Sequence, residues 1–195
     1  MNSINGEGGL LCEVRASVRV LLFTMAVCCA LYPLVILGVG QILTPHAANG
    51  SLIYDDQGEI VGSKLLAQAF SRPEYFWPRP SAVDYCADAA GGSNLSPANP
   101  ELRDRAKAML TRFGAAPGNP MPADLVTESG SGLDPDITLA AAKYQAERVA
   151  SARGLPIPIV MELLEKCANL TGSILAREPI VNVLRANMAL DRLGK

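Results

Sequence analysis

Residues 20–43 read VLLFTMAVCCALYPLVILGVGQIL, a run without a single charged side chain, and beyond it apolar and polar positions alternate in short segments. As a helix the run would be about 36 Å long against a hydrocarbon core of roughly 30 Å, so it crosses a bilayer with some tilt to spare. Its Leu, Ile, Val and Phe content favours insertion by about 4–8 kcal/mol before Pro33, the glycines and Gln41 are discounted. A buried core helix and a cleavable signal peptide are the competing readings. The block is too long for the second, and Thr44-Pro45-His46-Ala47-Ala48 lacks a clean cleavage signature. Arg15 and Arg19 lie just before the run, and no Lys or Arg follows it until Lys64. Cytoplasmic flanks carry the excess of basic residues, so the N-terminus is expected inside and the remainder outside.

Past the span, Ser51-Leu52-Ile53-Tyr54 and Glu59-Ile60-Val61 flank Asp55-Asp56-Gln57-Gly58, which is a hairpin signal. Residues 63–70 could follow as a short helix, and residues 72–80 form an aromatic and proline-rich loop. Asn99 as N-cap, Pro100 at the first helical position and Gly114 at the stop predict a helix over 100–113, with Leu102, Ala106, Met109, Leu110 and Phe113 on one face. A Pro/Gly linker covers 114–123. The spacing of Ala141, Ala142, Gln145, Val149 and Ala152 predicts a helix over 138–153 ended by Gly154, and a third covers 157–167. Residues 180–184 are apolar and β-branched, a candidate strand, before a final helix over 185–193. The whole reads as an α+β outer domain on a single N-terminal transmembrane helix: a cytoplasmic N-terminus (1–19), the span (20–43) and an outer domain (44–195), which the resemblance given below makes periplasmic.

Composition narrows the function. A formal charge of −2 and a pI near 5.5 leave no basic footprint for nucleic acid. The chain has one histidine, His46, at the exit of the span. A Ser-His-Asp triad, a Cys-His pair or a His-rich zinc site needs its histidine inside the folded domain, so no catalytic or metal-ligating residue is assigned. Cys86 and Cys167 fall on the outer side, where they could pair or could be independent small hydrophobes.

Gly58-Glu59-Ile60-Val61-Gly62-Ser63-Lys64 resembles a phosphate loop at a glance, but the glycine spacing and the Lys/Ser order both fail. Tyr75, Phe76 and Trp77, followed by Arg79, are consecutive aromatics that cannot all enter one core, so part of this run is expected to meet a partner or the membrane interface; a loop folded onto its own domain is the alternative. Ser93 and Asn94, after Gly91-Gly92, and Ser129 and Ser131, alternating with Gly130 and Gly132, sit in turns whose amides and hydroxyls can approach another chain. Ordinary loops read the same way. Neither stretch fits a nucleophile elbow, and neither serine has a general base. Asp134, with Glu128 and Asp136, makes an acidic cluster that either raises cation concentration at a pore mouth or is a solvated loop.

Several stretches taken in order carry a resemblance. They are Gly50 to Ile53, Gly62 to Phe70, Tyr75 to Ala82, Gly91 to Leu95, Ser129 to Asp134, Gln145 with Arg148-Val149-Ala150, and Val181 to Leu184 with Asn187. Together with the single span, they resemble the C subunit of the bacterial Kdp potassium-transporting ATPase. Leu66-Ala67 stands where that family usually has Ile-Gly, and Pro78 where a glycine is common. The resemblance implies an accessory, non-hydrolytic subunit of an ATP-driven potassium import complex in the inner membrane. Its partners would be a channel-like subunit, an ATP-hydrolysing P-type subunit, a small single-span subunit and the lipid bilayer. No cofactor would be tightly bound; ATP and potassium would be handled by the complex. Two roles are implied: a catalytic chaperone raising the ATP affinity of the hydrolytic subunit, with Gln145 at the position proposed as a nucleotide contact, or a periplasmic cap over the channel-like subunit. The predicted topology favours the cap, because ATP is cytoplasmic and Gln145 would lie outside. A free-standing anchored periplasmic binding module or enzyme is the alternative from another class.

Overall fold

The computed structural model describes residues 6–169 and 178–193. The chain divides into two compact units, Met1–Ser51 and Leu52–Lys195. The first unit is helical: α1 (Gly6–Met25), a π-helical segment (Ala26–Leu31), α2 (Tyr32–Leu43) and a single turn, α3 (Pro45–Ala48). Gly9–Leu43 is long and apolar enough to cross a membrane, and its apolar window is entirely unburied within the chain. The wide π segment ends two residues before Pro33. Proline removes an N–H and its ring crowds the carbonyl four residues back; a wider turn there relieves that crowding while the helix continues. His46 is exposed in α3, just past the apolar run.

The second unit begins with the expected hairpin, β1 (Leu52–Tyr54) and β2 (Ile60–Ser63), antiparallel with a bulge between Ile53 and Tyr54. Its turn is organised by Asp55, whose Oδ1 accepts from the amides of Gln57 (2.8 Å) and Glu59 (2.9 Å). Residues 63–70 are not helical. Their hydrogen-bonding groups are claimed elsewhere: Ser63 Oγ accepts from Leu65 N, Ala67 N donates to the carbonyl of Leu133, and Gln68 Nε2 donates to that of Val61. A helix would have to give up these bonds.

Helix α4 (Pro100–Phe113) has the predicted ends, Asn99 Oδ1 accepting from Glu101 N at 2.9 Å and Gly114 left-handed at φ 64°. No α4 residue is fully buried, and Leu110 on its apolar face is 40% exposed. Capping therefore carries an unusual share of its stability. Asn99→Ala is expected to cost about 1 kcal/mol and to appear as faster amide exchange confined to α4; unchanged exchange there would refute this account.

The core lies where α5 (Leu139–Arg153), α6 (Ile157–Cys167) and α7 (Val183–Leu193) pack around a two-stranded sheet, β3 (Asp136–Thr138) with β4 (Ile180–Asn182). The strands are antiparallel, Ile137 opposite Val181. Each runs into a helix without a loop, because its last residue is a polar cap. Thr138 Oγ1 accepts from Ala141 N (3.1 Å), and Asn182 Oδ1 accepts from Arg185 N (3.2 Å). This second cap is why the expected strand over 180–184 stops at Asn182, with Val183 and Leu184 opening α7. On α5 the buried residues are mostly alanines, Ala141, Ala142, Ala146 and Ala150, which let α6 and the sheet approach closely.

Candidate functional site

The loop over residues 72–80 has no regular secondary structure, yet Phe76 (1% exposed), Trp77 and Pro78 are buried. Pro73, Pro78 and Pro80 keep it from becoming a central strand, since each lacks an N–H for a ladder. A buried loop must satisfy its backbone groups by other means. Here two amide side chains do so for adjacent residues. Asn187, on α7, accepts from Phe76 N at 2.8 Å and donates to Phe76 O at 3.0 Å. Gln145, on α5, accepts from Trp77 N at 2.8 Å and donates to Trp77 O at 3.1 Å. Each amide reads both backbone groups of one residue, as a neighbouring strand would.

Two arginines of α5 hold the preceding residues. Arg148 donates to the carbonyls of Pro73 (2.6 Å) and Tyr75 (3.0 Å) and to Gln145 Oε1 (2.7 Å), and its guanidinium lies 3.8 Å from the centre of the Trp77 ring. Arg153 donates to the carbonyl of Glu74 (2.7 Å) and pairs with Asp191, whose other oxygen accepts from the Tyr75 hydroxyl. Burial, with Arg112 nearby, lowers Arg148 to about 10. It is still charged at neutral pH and is paired with dipoles rather than a carboxylate. Trp77 is further covered by Arg112 at 4.2 Å and the edge of Phe113.

As the sequence implies, the three consecutive aromatics do not all enter one core: Phe76 alone joins the main hydrophobic cluster. An irregular loop does not alternate its side chains as a strand does. Phe76 and Trp77 are buried, and half-buried Tyr75 packs against Phe70 and under Arg72 and Arg153. Over Phe76 and Trp77 the loop is folded onto its own domain, while Tyr75 keeps part of its surface exposed.

Downstream, the loop is stitched to the two glycine-rich turns. Arg79 pairs with Asp134 at 2.9 Å and donates to the carbonyl of Glu128. Ser129 N donates to Pro80 O, Ser81 Oγ donates to Gly132 O at 2.7 Å, and Gly91 N donates to Ser131 O at 2.8 Å. Ser129 is 3% exposed, its hydroxyl 3.1 Å from that of exposed Ser131. Ser93 is half-buried beside Gly92, and Asn94 is exposed with φ 52°. Arg79, Ser129, Ser131 and Asp134 thus meet, with Gly91-Gly92 against them. The acidic cluster is largely neutralised, as Glu128 pairs with Arg105, Asp134 with Arg79, and Asp136 accepts from Asn182. Burial, opposed by the Asn182 hydrogen bond, raises the Asp136 carboxyl above its usual range.

Gln145 is 1% exposed and its oxygen already has two donors, so in this conformation its amide is not presented to solvent. Sequence reasoning gave Arg148, Arg153 and Asn187 no role. A signal was available: Gln145 and Asn187 are amides on otherwise apolar helix faces, with Ala142 and Val149 around one and Leu184 and Leu190 around the other. Cys86 and Cys167 are both free thiols, the first exposed and the second half-buried. Among the described residues no cluster of three His, Cys, Asp or Glu side chains could hold a metal.

Fold and site define a class: an α+β domain on a single transmembrane helix, organised around a proline-rich loop clamped by buried amides and arginines. The model of one family, KdpC, described as the K+-transporting ATPase c chain, matches residues 14–192, and the chain belongs to that family. It is 49% identical over 178 residues to the potassium-transporting ATPase KdpC subunit of Parvibaculum lavamentivorans, covering 91% of this chain and 95% of that one. The Pseudomonas aeruginosa subunit of the same description is 44% identical over 183 residues (94% and 98%), and that of Methylococcus capsulatus 48% over 168 residues (83% and 88%).

Proposed function

We propose that this chain is the accessory, non-hydrolytic subunit of an ATP-driven potassium import complex, and that its domain acts as a rigid outer cap on the channel-like subunit. Relatives named as subunits of a potassium-transporting ATPase support the first part. The observation that carries the second is the buried state of Gln145, whose amide holds the Trp77 backbone. A residue spent on the domain's own loop supports a building role over direct nucleotide contact. Any effect on the ATP affinity of the hydrolytic subunit then travels through the span as a coupling free energy. The partners are the channel-like, hydrolytic and small single-span subunits, with the N-terminus in the cytoplasm and the domain in the periplasm of a bacterial inner membrane.

Two native thiols make the test. Cys12 lies N-terminal to the uncharged run over 20–43 and Cys86 lies in the second unit, and both are exposed. Chains keeping one of them, the other cysteines replaced by serine, are treated with a membrane-impermeant maleimide in cells with only the outer barrier opened. Labelling of Cys86 before lysis and of Cys12 only after lysis is expected. The reverse pattern would put the domain in the cytoplasm and overturn the cap.

A further inference from the structure

On the second unit a cavity of about 390 Å³ opens among β3, α6, β4 and α7, beside Lys64. Four cationic side chains line it: Lys64 directly after β2, Lys166 on α6, and Arg185 and Arg192 on α7. Asp136 is the one carboxylate among them. Lys166 is engaged by Glu162 at 2.7 Å and Arg192 by Asp56 at 3.0 Å. Lys64 and Arg185 have no ion pair among the described residues. Asp136, whose Oδ1 accepts from Asn182 at 3.0 Å, is a single carboxylate facing four cations and cannot compensate them fully.

This accumulation is local, on a chain whose formal charge is −2. Cations converging on a concavity repel one another, and the apolar walls given by Ile180 and Ala189 weaken the screening that would relieve them. We propose that this cavity binds an oxyanion of the phosphate type, held by Arg185 as a guanidinium fork and Lys64 as a point charge. The volume lies within the range of small-ligand sites, with room either for a free phosphate with its hydrating water or for one carried on a lipid headgroup.

The full chain in neutral detergent is titrated with inorganic phosphate and followed by ³¹P NMR line broadening. Saturable binding is expected, weakened at least about tenfold in the double variant Lys64→Gln, Arg185→Gln, since each lost charge-assisted contact is worth a tenfold step or more. Both side chains are exposed and form no ion pair among the described residues, so the variant should keep its unfolding temperature. Arg103→Gln with Lys107→Gln, on exposed positions of α4, is the control for diffuse attraction and is expected to leave binding unchanged. Repeating the titration in bilayers identifies the source. Displacement of phosphate by phosphatidic acid, and not by a zwitterionic lipid, assigns the headgroup; no displacement by either assigns the free ion. Absence of saturable binding, binding indifferent to the double variant, or equal loss in the α4 control would each overturn the proposal.

Discussion

Replacing Gln145 by leucine should lower the stability of the second unit by about 3–6 kcal/mol, although the two side chains are close in size. The substitution leaves Trp77 N–H, Trp77 C=O and one Arg148 donor without their partner in the core, each at a cost of about 1–3 kcal/mol. For a domain of this size that corresponds to a fall in unfolding temperature of roughly 10–15 °C. Trp77 is the chain's one tryptophan and is 8% exposed, so its fluorescence reports the site directly. Emission should shift to the red in the variant under native conditions, as the loop loosens and water reaches the indole. A nucleotide contact predicts something else: altered ATP dependence of the assembled complex with stability and emission intact. That second pattern would refute the clamp. Gln145→Glu separates the terms further, since it keeps an acceptor for Trp77 N–H and Arg148 but presents an oxygen to the Trp77 carbonyl. It should fall between wild type and leucine.

The clamp explains which parts of the chain were legible in advance. The span, the hairpin and the helices α4 and α5 are written in local signals: a long uncharged run, an Asp/Gly turn, a cap at one end and a glycine at the other. Their outcome needs no distant partner. The strand β3 was invisible because its three residues follow Asp134-Pro135 and read as an acidic loop, and it exists only by pairing with β4 far along the chain. Residues 63–70 have helical composition, but the carbonyl of Leu133 takes the Ala67 amide. Local propensity lost to a tertiary bond in that case. How the aromatic loop divides its side chains was not legible for a related reason: Phe76 and Trp77 can both be buried only because α5 and α7 supply amides at matching positions. Neither helix pattern announces that alone, though a polar residue on each apolar face was the available clue.

Gly132→Ala should be the other severe lesion, at about 2–5 kcal/mol, whereas Gly130→Ala, two residues earlier in the same Ser-Gly-Ser-Gly sequence, should be near neutral. Gly132 has φ +69°, where an L-residue costs roughly 1–2 kcal/mol. An added Cβ would also lie 2.5 Å from Val83 Cγ2, 2.9 Å from the Gly91 carbonyl oxygen and 3.0 Å from Ser81 Oγ. The valine methyl could swing away. The carbonyl cannot move freely, because the neighbouring Gly91 amide donates to Ser131 O, and Ser81 is fixed by its bond to the carbonyl of Gly132 itself. Overpacking of this kind typically adds about 1–3 kcal/mol. At Gly130 nothing lies within 4 Å of the added atom. Gly114, left-handed at φ +64° but with open space around it, isolates the conformational cost and should fall between the two. Urea unfolding of the three variants therefore ranks backbone strain against close approach. If Gly132→Ala were no worse than Gly114→Ala, the contact between the two glycine-rich turns would not be holding the loop that Arg79, Ser81 and Ser129 join.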